Sequence, residues 1–200
     1  AFNIYEASSN NNFISASRLL TESGSLVSYY PADAGDSDAD GRKELLVYGR
    51  TDNKFYTRLY EGSSNGTYPT IKSWEATTGW WTVGAMIEDM DNDGRKEVVF
   101  AGQNSTTEHK IQVFENTGND AYSSVYSTTV PDAHTSQCFN TMNDLDGDGK
   151  PDLVSADSLT TQVRVLRNIG TPGSVSFAAP QFFTTGTDVR AVAIADLDDD

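Results

Sequence analysis

Apolar residues along this chain come in short runs and never in long ones. "ELLVYG" from Glu44, "EVVFAG" from Glu97 and "DLVSAD" from Asp152 are compact, rich in β-branched side chains and closed by Gly or Asp. That pattern predicts strands rather than helices. An acidic segment precedes each run, and ahead of that lies another apolar stretch. The clearest is "VRAVAIADL", where Val192 and Ile194 alternate with alanines. Small residues at alternate places suit a strand crowded around a central axis. After a polar connection comes a third run, "FYTRLYEG", "KIQVFEN" or "VRVLRN". A turn rich in Gly and Asn, "SSNGT" or "TGND", then leads to a fourth, such as "IKSWEA".

The acidic segments repeat. They read "DSDADGRKE" from Asp36, "DMDNDGRKE" from Asp89 and "DLDGDGKPD" from Asp144, and the chain stops on "DLDDD" from Asp196. First aspartates at 36, 89, 144 and 196 are separated by 53, 55 and 52 residues. A period of that size marks stacked supersecondary units, and four antiparallel strands per period describe a β-propeller blade. The expected fold class is therefore all-β, with residues 1–200 forming one array of propeller units. Counted from loop to loop, these are a partial unit 1–35, full units 36–88, 89–143 and 144–195, and the start of another at 196–200.

Each complete segment has the form D-x-D-x-D-G-x-x-[DE], which converges hard oxygen ligands on one point. Ca²⁺ takes six to eight oxygens, and the glycine at position 6 allows the sharp turn. The expected ligands of the first loop are Asp36, Asp38, Asp40, the Arg42 carbonyl and Glu44. Those of the second are Asp89, Asp91, Asp93, the Arg95 carbonyl and Glu97. The third would use Asp144, Asp146, Asp148, the Lys150 carbonyl and Asp152. Asp196, Asp198 and Asp200 begin a fourth set that lacks the glycine and the ninth-position acid, so it is expected to bind weakly or not at all.

Magnitude argues against bare loops. Two carboxylates about 5 Å apart repel by about 3 kcal/mol at an effective dielectric of 20, and four make six such pairs. A solvated acidic turn is the plain alternative, and three complete copies at one period weigh against it. Mg²⁺ prefers a rigid octahedron and keeps its waters. Zn²⁺ would call for His or Cys, which these loops lack. Calcium is the expected metal, in about three complete structural sites. An EF-hand does not fit, because its bidentate Glu at position 12 is replaced here by Val47, Phe100 and Ser155, and strands rather than helices follow the loops.

The charge supports this assignment. Of 29 acidic residues, 15 occupy motif positions, and the other 14 match the 14 Lys and Arg, so the net −15 is concentrated in the loops. With no basic stripe, nucleic acid is excluded as a partner. The apolar fraction of 37 per cent supports a packed core, and no apolar run approaches the length of a membrane span. No charged-then-apolar leader opens the sequence, so Ala1 reads as a mature or trimmed N-terminus. The one cysteine, Cys138, forbids an intrachain disulfide and is expected on a strand as a small buried side chain.

The metal loops followed by "ELLV" or "DLV", and then by "VFENTGN", resemble FG-GAP or VCBS repeats, as in the integrin α-subunit propeller and many bacterial surface proteins. The likeness covers essentially the whole chain. It implies a seven- or eight-bladed propeller with calcium in the loop joining the first two strands of each blade. The phenylalanyl-glycyl and glycyl-alanyl-prolyl signatures are not evident, so the bacterial-type variant fits better than a true integrin chain. On this reading the chain starts on a third strand ("FNIYEA") and ends inside a metal loop. It is then part of a longer polypeptide, with a permuted four-blade ring as the alternative.

With calcium loops on one face, the other connections lie opposite, and they hold Trp80, Trp81, His109 and His134 as candidate ligand-binding residues. Adjacent residues on a strand point to opposite sides, so at least one tryptophan is expected in the core. "NGT" at Asn65 and "NST" at Asn104 match the glycosylation pattern. No nucleophile elbow, P-loop or zinc spacing appears, and no catalytic residue is assigned. The expected function is an extracellular, secreted or cell-surface adhesion or recognition module that binds a protein or a glycan. The alternatives are a polysaccharide lyase or glycosidase on the same scaffold, whose paired carboxylates would meet in space and not in sequence, or a purely structural repeat.

Overall fold

The computed structural model describes residues 2–9, 12–19, 26–51, 54–64, 68–103, 109–130, 137–157, 161–186, 189 and 192–194. Fourteen strands run through these residues, and there is no helix among them. A two-stranded hairpin, β1 (Phe2–Ser9) with β2 (Asn12–Leu19), comes first. Three four-stranded sheets follow. The first contains β3 (Leu26–Gly35), β4 (Glu44–Thr51), β5 (Phe55–Glu61) and β6 (Ile71–Thr78). The second contains β7 (Trp81–Glu88), β8 (Glu97–Gln103), β9 (His109–Gly118) and β10 (Ala121–Val130). The third contains β11 (Gln137–Asn143), β12 (Asp152–Asp157), β13 (Gln162–Leu166) and β14 (Gln181–Thr184).

Every sheet is an antiparallel meander in which chain neighbours are sheet neighbours. Counted as sheets, the units run 26–78, 81–130 and 137–184, and each acidic loop joins the first and second strands of its own sheet. Pairing starts at the ninth-position acid: Glu44 faces Gly35, Glu97 faces Glu88, and Asp152 faces Asn143. The loop therefore closes a hairpin and sets the register of the strand behind it.

Packing explains why β8 is apolar from Val98 to Ala101. Val98 and Phe100 of β8 join Ala85 and Ile87 against Leu46, Leu59 and Ala76 of the first sheet. Val99 and Ala101, on the opposite side of β8, join Ile111 and Val113 against Leu153 and Leu166 of the third. Both faces of β8 are thus interior, and the usual alternation of apolar and polar residues disappears. Aromatic rings seal the first interface. Trp74 of the first sheet meets Phe114 and Tyr122 of the second at centroid distances of 5.2 and 5.1 Å. Between the sheets, the Ile87 N–H donates to Asp33 Oδ2 at 3.0 Å.

The segment around Val192 and Ile194 departs from expectation, because its described residues, 189 and 192–194, are not in a strand. Among the described residues, no helix is long and apolar enough to cross a membrane.

Candidate metal centre

The three loops repeat one hydrogen-bonding scheme. The first aspartate accepts from the glycine amide at position 6: Gly41 to Asp36 at 3.1 Å, Gly94 to Asp89 at 3.0 Å, Gly149 to Asp144 at 2.7 Å. The position-3 aspartate accepts from the amide two residues on, at 3.2–3.3 Å in each loop. The position-5 aspartate accepts from the amide at position 7, at 2.8 Å in the first two loops and 3.0 Å in the third. The ninth-position acid reaches back to the amide at position 2: Ser37 to Glu44 at 2.5 Å, Met90 to Glu97 at 2.6 Å, Leu145 to Asp152 at 3.1 Å. These bonds wind the backbone into a coil around its own acidic side chains.

That coil needs left-handed backbone at two places. Position 6 has φ between 85° and 89° in all three loops, where glycine avoids a steric cost. Position 4 is also left-handed, at Ala39 (φ 61°), Asn92 (φ 59°) and Gly147 (φ 77°). Alanine is the least suited of the three, so the first loop stores some backbone strain.

In the first loop Asp36, Asp38 and Asp40 form one group whose ligand oxygens lie within 4.8 Å of one another, and Asp40, Glu44 and Glu61 form an adjoining one. Asp89, Asp91 and Glu97 form the group of the second loop, and Asp144, Asp146 and Asp152 that of the third. In the first two loops several of these oxygens are buried without a hydrogen-bond partner: Asp36 Oδ1, Glu44 Oε1, Asp89 Oδ1, Asp91 Oδ2 and Glu97 Oε1. A buried carboxylate oxygen left without a partner is costly, and five on two loops fit a hard cation held between them. The electrostatics agree. Burial, with Asp91 and Asp89 nearby, pushes Glu97 up to about 8. Burial likewise raises Glu44, Asp91 and Asp152. Two acids behave oppositely, because hydrogen bonds from Arg42 and from Lys150 hold Asp40 and Asp148 below the usual carboxylate range.

Some contributors lie outside the loops. At the end of the third strand, Glu61 and Glu115 stand opposite Glu44 and Glu97. Arg42 bridges Asp40 to Glu61, and Arg95 bridges Asp93 to Glu115. In the third unit the ladder has Leu153 opposite Leu166, which sets Arg167 in the corresponding place. Its guanidinium pairs with Asp146 and Asp148, while Lys150 Nζ lies 3.0 Å from Asp148. The first two centres are thus lined by acids and at most partly exposed, and the third is more exposed and partly neutralised by its own cations. Because Glu61, Glu115 and Arg167 lie 17, 18 and 15 residues beyond their ninth-position acids, only aligning the third-strand ends "YEG", "FEN" and "LRN" on one another would have exposed this position.

The opposite end of the sheets holds the other candidates. Trp80 is half-buried in the turn before β7, with Lys110 Nζ 5.9 Å from its ring centroid. Trp81 is 43% exposed, with the Arg50 guanidinium 5.5 Å from its ring. Neither tryptophan is fully buried, contrary to expectation, because both sit at the end of the sheet, and Gly102 allows Trp80 to approach within a distance no Cβ would tolerate. His109 overturns its expected place on an exposed connection: it is the first residue of β9, opposite Gln103, and 1% exposed. The Cys138 backbone lies in β11 as expected. His134, Asn65, Asn104, Asp196, Asp198 and Asp200 lie outside the described residues.

Comparison with known proteins agrees with the loops. No curated protein and no solved structure matches the chain. A family profile described as an FG-GAP-like repeat matches residues 36–100 and 144–200, and both matches begin on the first aspartate of an acidic loop. With most of its length covered and the loop scheme present three times, the chain belongs to the FG-GAP-like repeat family.

Proposed function

We propose that the protein is a calcium-stabilised array of propeller-type units that serves as an extracellular adhesion or recognition module. The observation that carries this reading is the set of buried, partnerless carboxylate oxygens in the first two loops, each on a residue of a close acidic group. Calcium supplies the missing positive charge and accepts six to eight oxygens. Its ligands would be the first, third, fifth and ninth acids with the seventh carbonyl: Asp36, Asp38, Asp40, Arg42 and Glu44 in the first loop, and the corresponding residues in the other two. The family resemblance supports a cell-surface or secreted setting, where calcium concentrations suit sites with dissociation constants of about 10⁻⁴–10⁻³ M. The expected partner is a protein or glycan, with the Trp81 end of the sheets as the candidate contact.

Isothermal titration with calcium chloride tests the metal reading, and the expected result is two tighter sites and one weaker. No heat and no uptake would refute it. A glycan array tests the recognition role: retention without product release supports a binding module, and release of oligosaccharides would identify an enzyme instead.

The third centre makes a separate prediction. Arg167→Glu restores the acid that the other two units carry as Glu61 and Glu115, and it frees Asp146 and Asp148 from a competing guanidinium. Calcium affinity of the third loop is expected to rise about ten-fold, corresponding to about 1.4 kcal/mol, with the other two sites unchanged in the same titration.

A further inference from the structure

The residue at loop position 2 faces two ways. In the first loop, both the N–H and the Oγ–H of Ser37 donate to Glu44 Oε2, at 2.5 and 2.7 Å. The Ser37 Oγ also lies 2.6 Å from the hydroxyl of Tyr122, which belongs to β10 of the next sheet. With the serine proton committed to Glu44, the Tyr122 hydroxyl is the donor. A second bond crosses the same gap, from the Asp120 amide in the β9–β10 turn to Asp38 Oδ2 at 2.9 Å. In the second loop, the Met90 N–H donates to Glu97, and the Met90 carbonyl accepts from Asn168 Nδ2 of the third unit at 2.5 Å. The atoms differ, but the arrangement is the same: a ninth-position acid holds position 2, and position 2 is held by the following unit.

We infer that each of the first two loops is also the latch between its own unit and the next, so that metal occupancy and unit docking are thermodynamically coupled. The inference rests on the calcium reading. A cation drawn onto Asp38 and Glu44 fixes the carboxylates whose remaining lone pairs anchor Asp120 and, through Ser37, Tyr122. Docking of the second unit holds those same carboxylates in place for the cation. Coupling of this kind is reciprocal in binding free energy. Its signature is displaced along the chain: a change in the second unit weakens the site of the first and spares the site of its own.

Tyr122→Phe in the full chain provides the test, because it removes only the hydroxyl and keeps the ring against Trp74. The amides of Gly41, Gly94 and Gly149, each bonded to its loop's first aspartate, report the three centres separately in a ¹⁵N spectrum titrated with calcium chloride. In the variant, the calcium concentration at half-change for Gly41 is expected to rise about five-fold, as loss of one hydrogen bond predicts, with that for Gly94 unchanged. An unchanged Gly41 midpoint, or equal displacement of both, would overturn the coupling while leaving the calcium reading in place. Amides that do not respond to calcium in the unmodified chain would remove both.

Discussion

In excess chelator the protein is expected to melt roughly 10–20 °C below its melting temperature in calcium at a hundred times the dissociation constant. A site filled to that degree contributes about 2.7 kcal/mol. The first two centres together therefore supply about 5 kcal/mol, and in a domain of this size each kcal/mol moves the transition by about 2–4 °C. The change in charge state reinforces the effect. Without metal, Glu97 is held up at about 8, against 4.5 for an ordinary glutamate. A carboxyl whose folded pKa is raised stabilises the fold below its unfolded pKa, and this contribution is lost as pH rises through the folded value. The chelated protein should therefore lose stability between about pH 5 and 8. Differential scanning calorimetry at several pH values, with calcium and with chelator, measures both effects. Coincident melting curves in the two conditions would contradict the account.

Glu97→Ala is expected to be the most damaging single change. Glu97 is fully buried, its Oε2 accepts the Met90 amide, and its Oε1 faces the cluster. Truncation leaves the Met90 N–H without its acceptor, which costs roughly 1–3 kcal/mol. In calcium it also forfeits the stabilisation supplied by the second centre, about 2.7 kcal/mol. Denaturant unfolding in calcium should thus show a loss of roughly 4–6 kcal/mol. In chelator the loss is smaller, because the second centre then contributes nothing to the parent chain either. Glu97→Gln separates the two causes, since the amide oxygen can still accept from Met90 while the charge is gone. It should match the parent chain in chelator and fall short of it in calcium. A glutamine variant as stable as the parent in calcium would show that the carboxylate holds no metal.

The loops and the strands around them were legible because their determinants are local and written three times. Asp36, Asp89 and Asp144 each open a segment whose bonds reach no further than the ninth position, and the runs behind them have to be strands because apolar residues fill both faces. Less local features stayed hidden. The Trp80–Trp81 pair offers no polar–apolar alternation to assign, and its exposure depends on where the sheet ends. His109 reads as a polar connection residue until its ladder position opposite Gln103 turns it inward. The bonds from Tyr122 to Ser37 and from Asn168 to Met90 span 85 and 78 residues. No window of fifty residues contains both partners of either bond. Glu61, Glu115 and Arg167 fall between these extremes, because their common place emerges only once the third strands are aligned.

The two-sided burial of β8 limits how such a chain can change in length. Its odd and even positions serve different neighbours, and the ninth-position acid that starts the strand is locked to the loop. One residue gained or lost between that acid and the strand would exchange the two faces and misdirect both seams at once. Drift is tolerated instead in connections such as those between third and fourth strands, which hold nine residues after β5, two after β9 and fourteen after β13. Growth of the array is therefore confined to adding whole units.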